Sequence, residues 1–573
     1  MKAIILSITM LLSATMMMAD NRPLAEMQAI AASKLNRLAA EQGLRHAPIH
    51  ADAIRCIDDR ETYAVFSAEA TTGFVIVAKS TLADPLIGYS SEPFDTDHIP
   101  ANMQWYLNEV SRNLQAIDAG KTQMPRRTAT YTPVENFITT KWNQNAPYNM
   151  LTPNNYYTGC VATALAQCMN YYQYPSKAEF DSFYYVIKGD NIEEKEAHVS
   201  STYTWPYKDT YTGTADDNIA ELLRDCGYAI CTRYSSKSSG APTMYAGAAL
   251  THNFGYSQDC VKYYEKDYWG KSNDDWKQIF YDELALRCPV IYAAHTEGED
   301  SESGHAFVLS GVDADGKVYI NWGWGGSADG YFSIDLLILG KDLFTKSHRM
   351  VTGIRTTPLA TDHAEPRMWA NYGRYAFRWN KEHENGKSYN SLWINIPGGF
   401  ENKTPSDFEG VFGIFAQDLT DGTTWIIAED LQDPCAIQAS YGYYEEDETV
   451  PFEYYYDVTG DNGLKPGHTY RMSFGTKDDR EGTWHSLICY GGEIAYDVTY
   501  TGDIATSTIS EVPTAAPVMT DIKDIYDSTN DHLQIVNGKI FDLTGRTIAN
   551  DAITNGRLPK GLYIQNGKKI LVR

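Results

Sequence analysis

Three residues in this chain have the types and the spacing of a nucleophilic acyl-transfer site: Cys160, His305 and Asn321. In such a site a thiolate attacks a carbonyl carbon and an imidazole carries the proton between thiol and leaving group. A side-chain amide can then hold the imidazole in one orientation. His305 follows Cys160 by 145 residues and Asn321 follows His305 by 16, the order and interval of a thiol enzyme whose His and Asn come late in the chain. Taken singly, each has a plainer explanation. A Cys after Gly at a helix start is mostly a small buried apolar residue. His305 reads as a satisfied histidine at a strand end, and Asn321 ahead of Trp322-Gly323-Trp324-Gly325-Gly326 as a turn residue. The shared order carries the reading.

The elements around these residues suit that chemistry. A free thiol, pKa ~8.5, is only slightly ionised at neutral pH, so a nucleophilic Cys needs a positive neighbour and gains from a helix N-terminus. After Gly159, the residues Val161, Leu165, Cys168, Met169 and Tyr172 recur at helical spacing, which puts Cys160 in a first turn, among unpaired N–H groups that also suit an oxyanion. Cys168 then points into the core. His305 lies between Gly304 and the apolar run Ala306-Phe307-Val308-Leu309, where a loop enters a buried strand. Asn321 ends the run Val318-Tyr319-Ile320 and is expected to accept the imidazole N–H, with Trp322 shielding that bond. His295 is a weaker base, without an Asn at a matched interval. The acidic, Gly/Ser-rich loop 296–304 reads as a flap over the cleft. The turn Asp313-Ala314-Asp315-Gly316 is not a calcium loop, because Trp324 stands where the twelfth-position Glu belongs.

At 573 residues, with 43% hydrophobic and 13% aromatic composition, the chain is a multidomain folded protein. A net charge of −26 without basic clusters excludes a nucleic-acid footprint. Residues 1–19 read as a signal peptide, a short apolar run behind Lys2 ending at Ala19, with no early Cys to take a lipid. Nine scattered Cys do not form a disulfide scaffold or a zinc motif. Neither cofactor nor metal is expected.

Composition divides the rest. Residues 20–127 read as a small α+β propeptide that ends in an exposed, Pro-interrupted linker suited to cleavage. Residues 128–356 form the catalytic domain, helix early and sheet late. Residues 365–503 alternate as strands of a β-sandwich, and Leu464 to Tyr470 look like the turn and tyrosine of an immunoglobulin or fibronectin-type strand. Residues 504–520, rich in Thr, Ser, Pro and Ala, read as a linker, and 521–573 as a short β unit.

The motifs Thr158-Gly159-Cys160-Val161-Ala162-Thr163-Ala164, Gly304-His305-Ala306-Phe307-Val308 and Asn321-Trp322-Gly323-Trp324-Gly325-Gly326, with Trp142 to Asn149 upstream, resemble the streptopain family of cysteine peptidases. The resemblance covers about 20–356. It implies a papain-like α+β fold and synthesis as a zymogen inhibited by its own propeptide. It also implies endopeptidase action on protein or peptide substrates through a thioester, with a hydrophobic residue preferred at P2. Cys160 would be the nucleophile, His305 the general acid/base, and Asn321 and Trp322 the orienting and shielding pair. Papain-like enzymes place an oxyanion Gln six residues before the nucleophile; Asn154 stands there and is the oxyanion candidate. The last fifty residues resemble sorting domains read by the type IX secretion machinery of Gram-negative bacteria, which implies a secreted or outer-surface protein. Two alternatives stay open: a catalytically silent exported binding protein, and another thiol acyl transferase.

Overall fold

The computed structural model describes residues 20–41, 43, 47–69, 73–124, 131–213, 218–296, 304–339, 345–370, 373–384, 387–396, 399–428, 435–437, 452–459, 463–480, 484–513, 540–542, 561–565 and 568–572. The expected signal peptide, most of the cleavage linker and most of the acidic loop lie outside the described residues. The chain divides into two compact units. One runs to Tyr256 and resumes over Asn273–Thr356; the other takes Ser257–Ser272 together with everything from Thr357. No helix among the described residues is long and apolar enough to cross a membrane.

The first unit opens with helix α1 (Leu24–Glu41), strands β1 (Ile54–Asp59), β2 (Tyr63–Ala68), β3 (Phe74–Ala78) and β4 (Leu86–Ser90), and helix α2 (Ala101–Asp118). Then come α3 (Cys160–Tyr172), β5 (Lys177–Lys188), β6 (Asn191–Thr202), α4 (Ile219–Ala229), β7 (Arg233–Ser235) and α5 (Met244–His252). After β8 (Lys262–Glu265), which belongs to the second unit, follow α6 (Asn273–Ala285), β9 (Val290–Thr296), β10 (Gly304–Val312), β11 (Val318–Asn321), β12 (Gly330–Phe332) and β13 (Thr345–Thr352). Strands β1 to β4 do not form a sheet of their own. The order β1-β2-β3-β4-β12-β11-β10-β9-β13 is one antiparallel sheet, joined across β4 and β12 by the pairs Tyr331↔Tyr89 and Phe332↔Gly88.

This join is sealed by buried charge. Lys34 of α1 reaches Asp313 at 3.5 Å and lies over the Tyr89 ring. The Tyr89 hydroxyl donates to Asp313 at 2.8 Å, and Asp313 also accepts the Asp315 and Lys317 N–H groups. The Asp313 turn is therefore a structural anchor with its oxygens already used.

In the second unit the strands are β14 (Met368–Ala370), β15 (Ala376–Glu384), β16 (Lys387–Ile396), β17 (Phe400–Asn402), β18 (Phe408–Asp418), β19 (Thr424–Ala428), β20 (Cys435–Ile437) and β21 (Phe452–Asp457). They continue with β22 (His468–Asp478), β23 (Trp484–Ser486), β24 (Ile488–Cys489), β25 (Gly492–Tyr500) and β26 (Thr508–Pro513). One sheet runs β17-β14-β24-β25-β22-β18-β19; the other is β15-β16-β21. Alternate residues of both, among them Phe377, Leu392, Ile394, Phe412, Ile414, Met472, Phe474 and Tyr496, enclose one apolar core. The Tyr470 hydroxyl accepts the Lys465 N–H at 2.7 Å, the corner expected of that turn. Part of the expected 504–520 linker is instead a strand: β26 pairs with β25 from Thr499↔Thr508 to Ile494↔Pro513. Its alternation Thr508-Ile509-Ser510-Glu511-Val512 outweighs the linker-like composition. Further on, Ile540–Asp542, Gly561–Gln565 and Lys568–Val572 form a small antiparallel sheet.

Candidate active site

Helix α3 begins at Cys160 because Gly159 takes φ 91°, a turn that favours glycine. A Cβ at Gly159 would also press on the Ser239 carbonyl at 3.1 Å. Residues Val161 to Asn170 are all buried, so α3 is the central helix of its unit. Cys160 keeps some exposed surface, and its Sγ accepts the Ala306 N–H at 3.4 Å. Loss of hydration around the sulfur pushes the thiol up, against the pull of the Ala306, Val161 and Cys160 N–H groups.

His305 is the second residue of β10, opposite Ala294 in register. A side chain at Gly304 would collide with the His295 ring, so the Gly-His pair leaves room for a second histidine beside the first. His295 bonds Arg349 and pairs across from Gly304. Burial, helped by His295, lowers the His305 pKa to about 4. Both reactive groups are thus neutral at pH 7. The ring lies edge-on to Trp105 at 5.9 Å, and no hydrogen bond joins it to Cys160 among the described residues.

Asn321 is engaged away from the imidazole in this structure. Its carbonyl oxygen accepts from Gln167 Nε2 at 3.1 Å and the Gly323 N–H at 3.0 Å, and its Nδ2 donates to the Thr140 carbonyl at 2.7 Å. With Thr140 Oγ1 donating to Gln167 at 2.9 Å, the network closes on itself and leaves no acceptor for the imidazole. Trp322 is fully buried against Phe307, Tyr106 and Phe332 and donates to the Ala328 carbonyl; the ring over His305 is that of Trp105. Asn154, the oxyanion candidate, sits exposed in a one-turn 3-10 segment at φ 53°. Gln144 instead has a buried Nε2 without a partner among the described residues. A Cβ built on Gly323 would stand 4.0 Å from this Nε2, and the Gln144 backbone carbonyl accepts the Thr158 N–H at 3.0 Å.

Asn102, on α2, was not legible as a site residue. It is fully buried and donates to the carbonyls of Ala306 at 3.2 Å and Trp322 at 2.9 Å, while Trp324 Nε1 donates to it at 3.1 Å. One turn along, Trp105 Nε1 donates to Thr296, whose hydroxyl donates to Glu109. Helix α2 therefore bonds the backbone of Ala306 and Trp322 on one side of His305 and the Thr296 side chain on the other. Elsewhere, Asp418, Asp421 and His468 bring possible ligand atoms within 4.8 Å. His468 is already bonded to Asp418 and Lys465 to Asp421, so that cluster is internally paired.

The His305 environment sets a pH dependence. A histidine held near pKa 4 resists protonation, so as pH falls from about 6.5 any state that frees the ring gains on the docked one, by at most about 3 kcal/mol. Asp329, pushed up to about 8 by burial, has the opposite sign if it too is freed. In the Cys160→Ala chain, trypsin should trim the 120–130 region faster at pH 5 than at pH 7.5, and His305→Gln should flatten that difference. An unchanged difference would assign it to other groups.

Residues 142–332 match the Peptidase C10 family. Streptopain of Streptococcus pyogenes is 32% identical over 302 residues, covering 47% of this chain and 73% of that protein. The thiol protease/hemagglutinin PrtT of Porphyromonas gingivalis is 30% identical over 305 residues, 48% of this chain and 34% of that one. Among solved structures, a fragment of Prevotella intermedia prointerpain A is 31% identical with a TM-score of 0.47, covering 53% of this chain and 99% of the fragment.

Proposed function

Since this chain belongs to the peptidase C10, or streptopain, family and is a cysteine-type peptidase, we propose that it is a zymogen whose papain-like catalytic domain cleaves proteins internally through Cys160 and His305. In the freed enzyme His305 takes the Cys160 proton, and the thiolate attacks the scissile carbonyl. His305 then returns the proton to the leaving amine as the C–N bond breaks to a thioester. Water, deprotonated by His305, hydrolyses the thioester and restores the thiol. The N–H groups of the first α3 turn receive the oxyanion. Gln144, with its unspent Nε2–H, is a better second donor than the exposed Asn154. Trp322 and Asn321 act at a distance, by fixing the wall and the strand end beside His305. A hydrophobic P2 preference is carried by family membership alone.

The observation that favours the zymogen is that no hydrogen bond joins Cys160 to His305 among the described residues, while Asn102 and Trp105 of α2 bond and pack around the histidine. Residues 20–127 are on this reading the inhibitory propeptide, held by sheet continuity and by the Asp313 anchor. The leader-like first residues and the sorting-like C-terminus favour export to the medium or outer surface of a Gram-negative cell through a type IX machinery. The sandwich, with its tyrosine corner, is taken as an immunoglobulin or fibronectin-like accessory domain. The test is a time course of the reduced chain lacking residues 1–19. Shortening near 120–130 should coincide with casein cleavage, and a thiol-alkylating epoxide should block the cleavage. A chain trimmed there by trypsin and still inert would favour the silent binding protein instead.

A further inference from the structure

The second unit contains a cavity of about 260 Å³ that the peptidase reading does not use. One wall is the segment Ser257–Ser272 and the other is formed by β14, β24 and the 404–406 turn. The segment is firmly tied there. Ser406 Oγ donates to the Gln258 carbonyl at 2.9 Å, the Ala364 N–H donates to Asp259 at 3.0 Å, and the Gly491 N–H donates to the Asp267 carbonyl at 2.8 Å. A Cβ at Gly270 would collide with the Gly491 backbone, so the approach is close. The cavity is a built feature.

Its lining has a specific chemistry. Met368 and Ala370 point into the sandwich core, so by strand alternation Trp369 between them points out of it, onto the cavity. Trp369 is 4% exposed, and its indole N–H has no partner among the described residues. The same holds for the buried Nε of Arg367, whose terminal nitrogen pairs with Glu493. Two buried donors are therefore unspent in one wall, where leaving them unmet is costly. Facing them are the rings of Tyr264, Tyr268 and Trp269. Cations of the chain itself already lie over two of these rings, Lys403 over Tyr268 at 4.8 Å and Lys271 over Trp269 at 4.5 Å. Lys403 is in turn neutralised by Glu265 and Glu401.

From this we infer that the cavity binds a neutral saccharide unit. A pyranose supplies oxygen acceptors for Trp369 and Arg367 and a C–H face for the aromatic rings. Its hydroxyls can also donate to the Glu365 carboxylate, which lines the same cavity. The lysines over Tyr268 and Trp269 disfavour a cationic ligand beside them, and the volume, below the ~300 Å³ at which drug-sized sites begin, suits one ring. The site is independent of the peptidase chemistry.

The test uses the full chain with Cys160→Ala, titrated with the methyl glycosides of glucose, mannose and galactose and with N-acetylglucosamine, read by saturation-transfer NMR and calorimetry. At least one should bind at millimolar strength. Trp369→Phe, which keeps a ring and loses the N–H, should weaken it about tenfold. Trp269→Leu, at a partly buried position and with folding checked by thermal melting, should abolish it. Silence from all four sugars overturns the inference, as does binding indifferent to both variants. So does a casein-derived peptide that competes at this site when no sugar does.

Discussion

Cys160→Ala should leave the chain folded and lower casein hydrolysis by about 10⁴-fold or more, because the proposed mechanism forms its acyl intermediate on Cys160. The fold should tolerate the change. The thiol is only partly buried, it receives one long N–H bond from Ala306, and alanine suits the first helical turn. Cys168→Ala is the matched control. That thiol lies on the same helix, fully buried, and burial pushes its pKa far up. Its loss should cost about 1–2 kcal/mol of stability through the cavity left behind and leave hydrolysis within a few-fold of the parent. His305→Ala should match Cys160→Ala in rate, whereas His295→Ala should not. If Cys160→Ala retained thiol-sensitive activity, the assignment of the nucleophile would be wrong.

How far the site could be read in advance follows from how local each determinant is. The helix start at Cys160 was legible because Gly159 and the apolar spacing after it mark it within a few residues. The strand entry at His305 was legible from Gly304 and the apolar run after it. Asn321 was placed on its strand end, but its partners Thr140 and Gln167 come from distant elements, and an amide gives no sign of which group it will bond. Asn154 was chosen by counting back six residues. The turn that intervenes holds both Asn154 and Asn155 at positive φ and carries the side chain to the surface. The edge strand β26 hid in a Thr/Ser-rich composition. The expected propeptide was recognisable as a unit of helices and strands, yet its continuity with the catalytic sheet depends on a pairing between β4 and β12 that neither strand announces.

Asn102→Leu should unlatch the same helix that covers His305. The substitution keeps roughly the volume and strands three partners: the Ala306 and Trp322 carbonyls and the Trp324 indole N–H. Each buried group left unmet costs about 1–3 kcal/mol. The costs do not add fully, since water can enter once the helix lifts, so about 3 kcal/mol is a working figure. That corresponds to roughly 10²-fold faster opening, read as the rate at which iodoacetamide alkylates Cys160 before any cleavage. Asn113→Leu supplies the comparison: the same helix and the same burial, but a single bond to the Leu336 carbonyl, away from His305. It should lower thermal stability and change Cys160 alkylation much less. Equal acceleration by the two variants would mean that α2 restrains the enzyme by its buried area as a whole. A difference confined to Asn102 would mean that restraint is concentrated on the backbone beside His305. In that case the charge state of His305 and the grip of Asn102 are two parts of one equilibrium: lifting Asn102 exposes the ring, and protonating the ring holds it out.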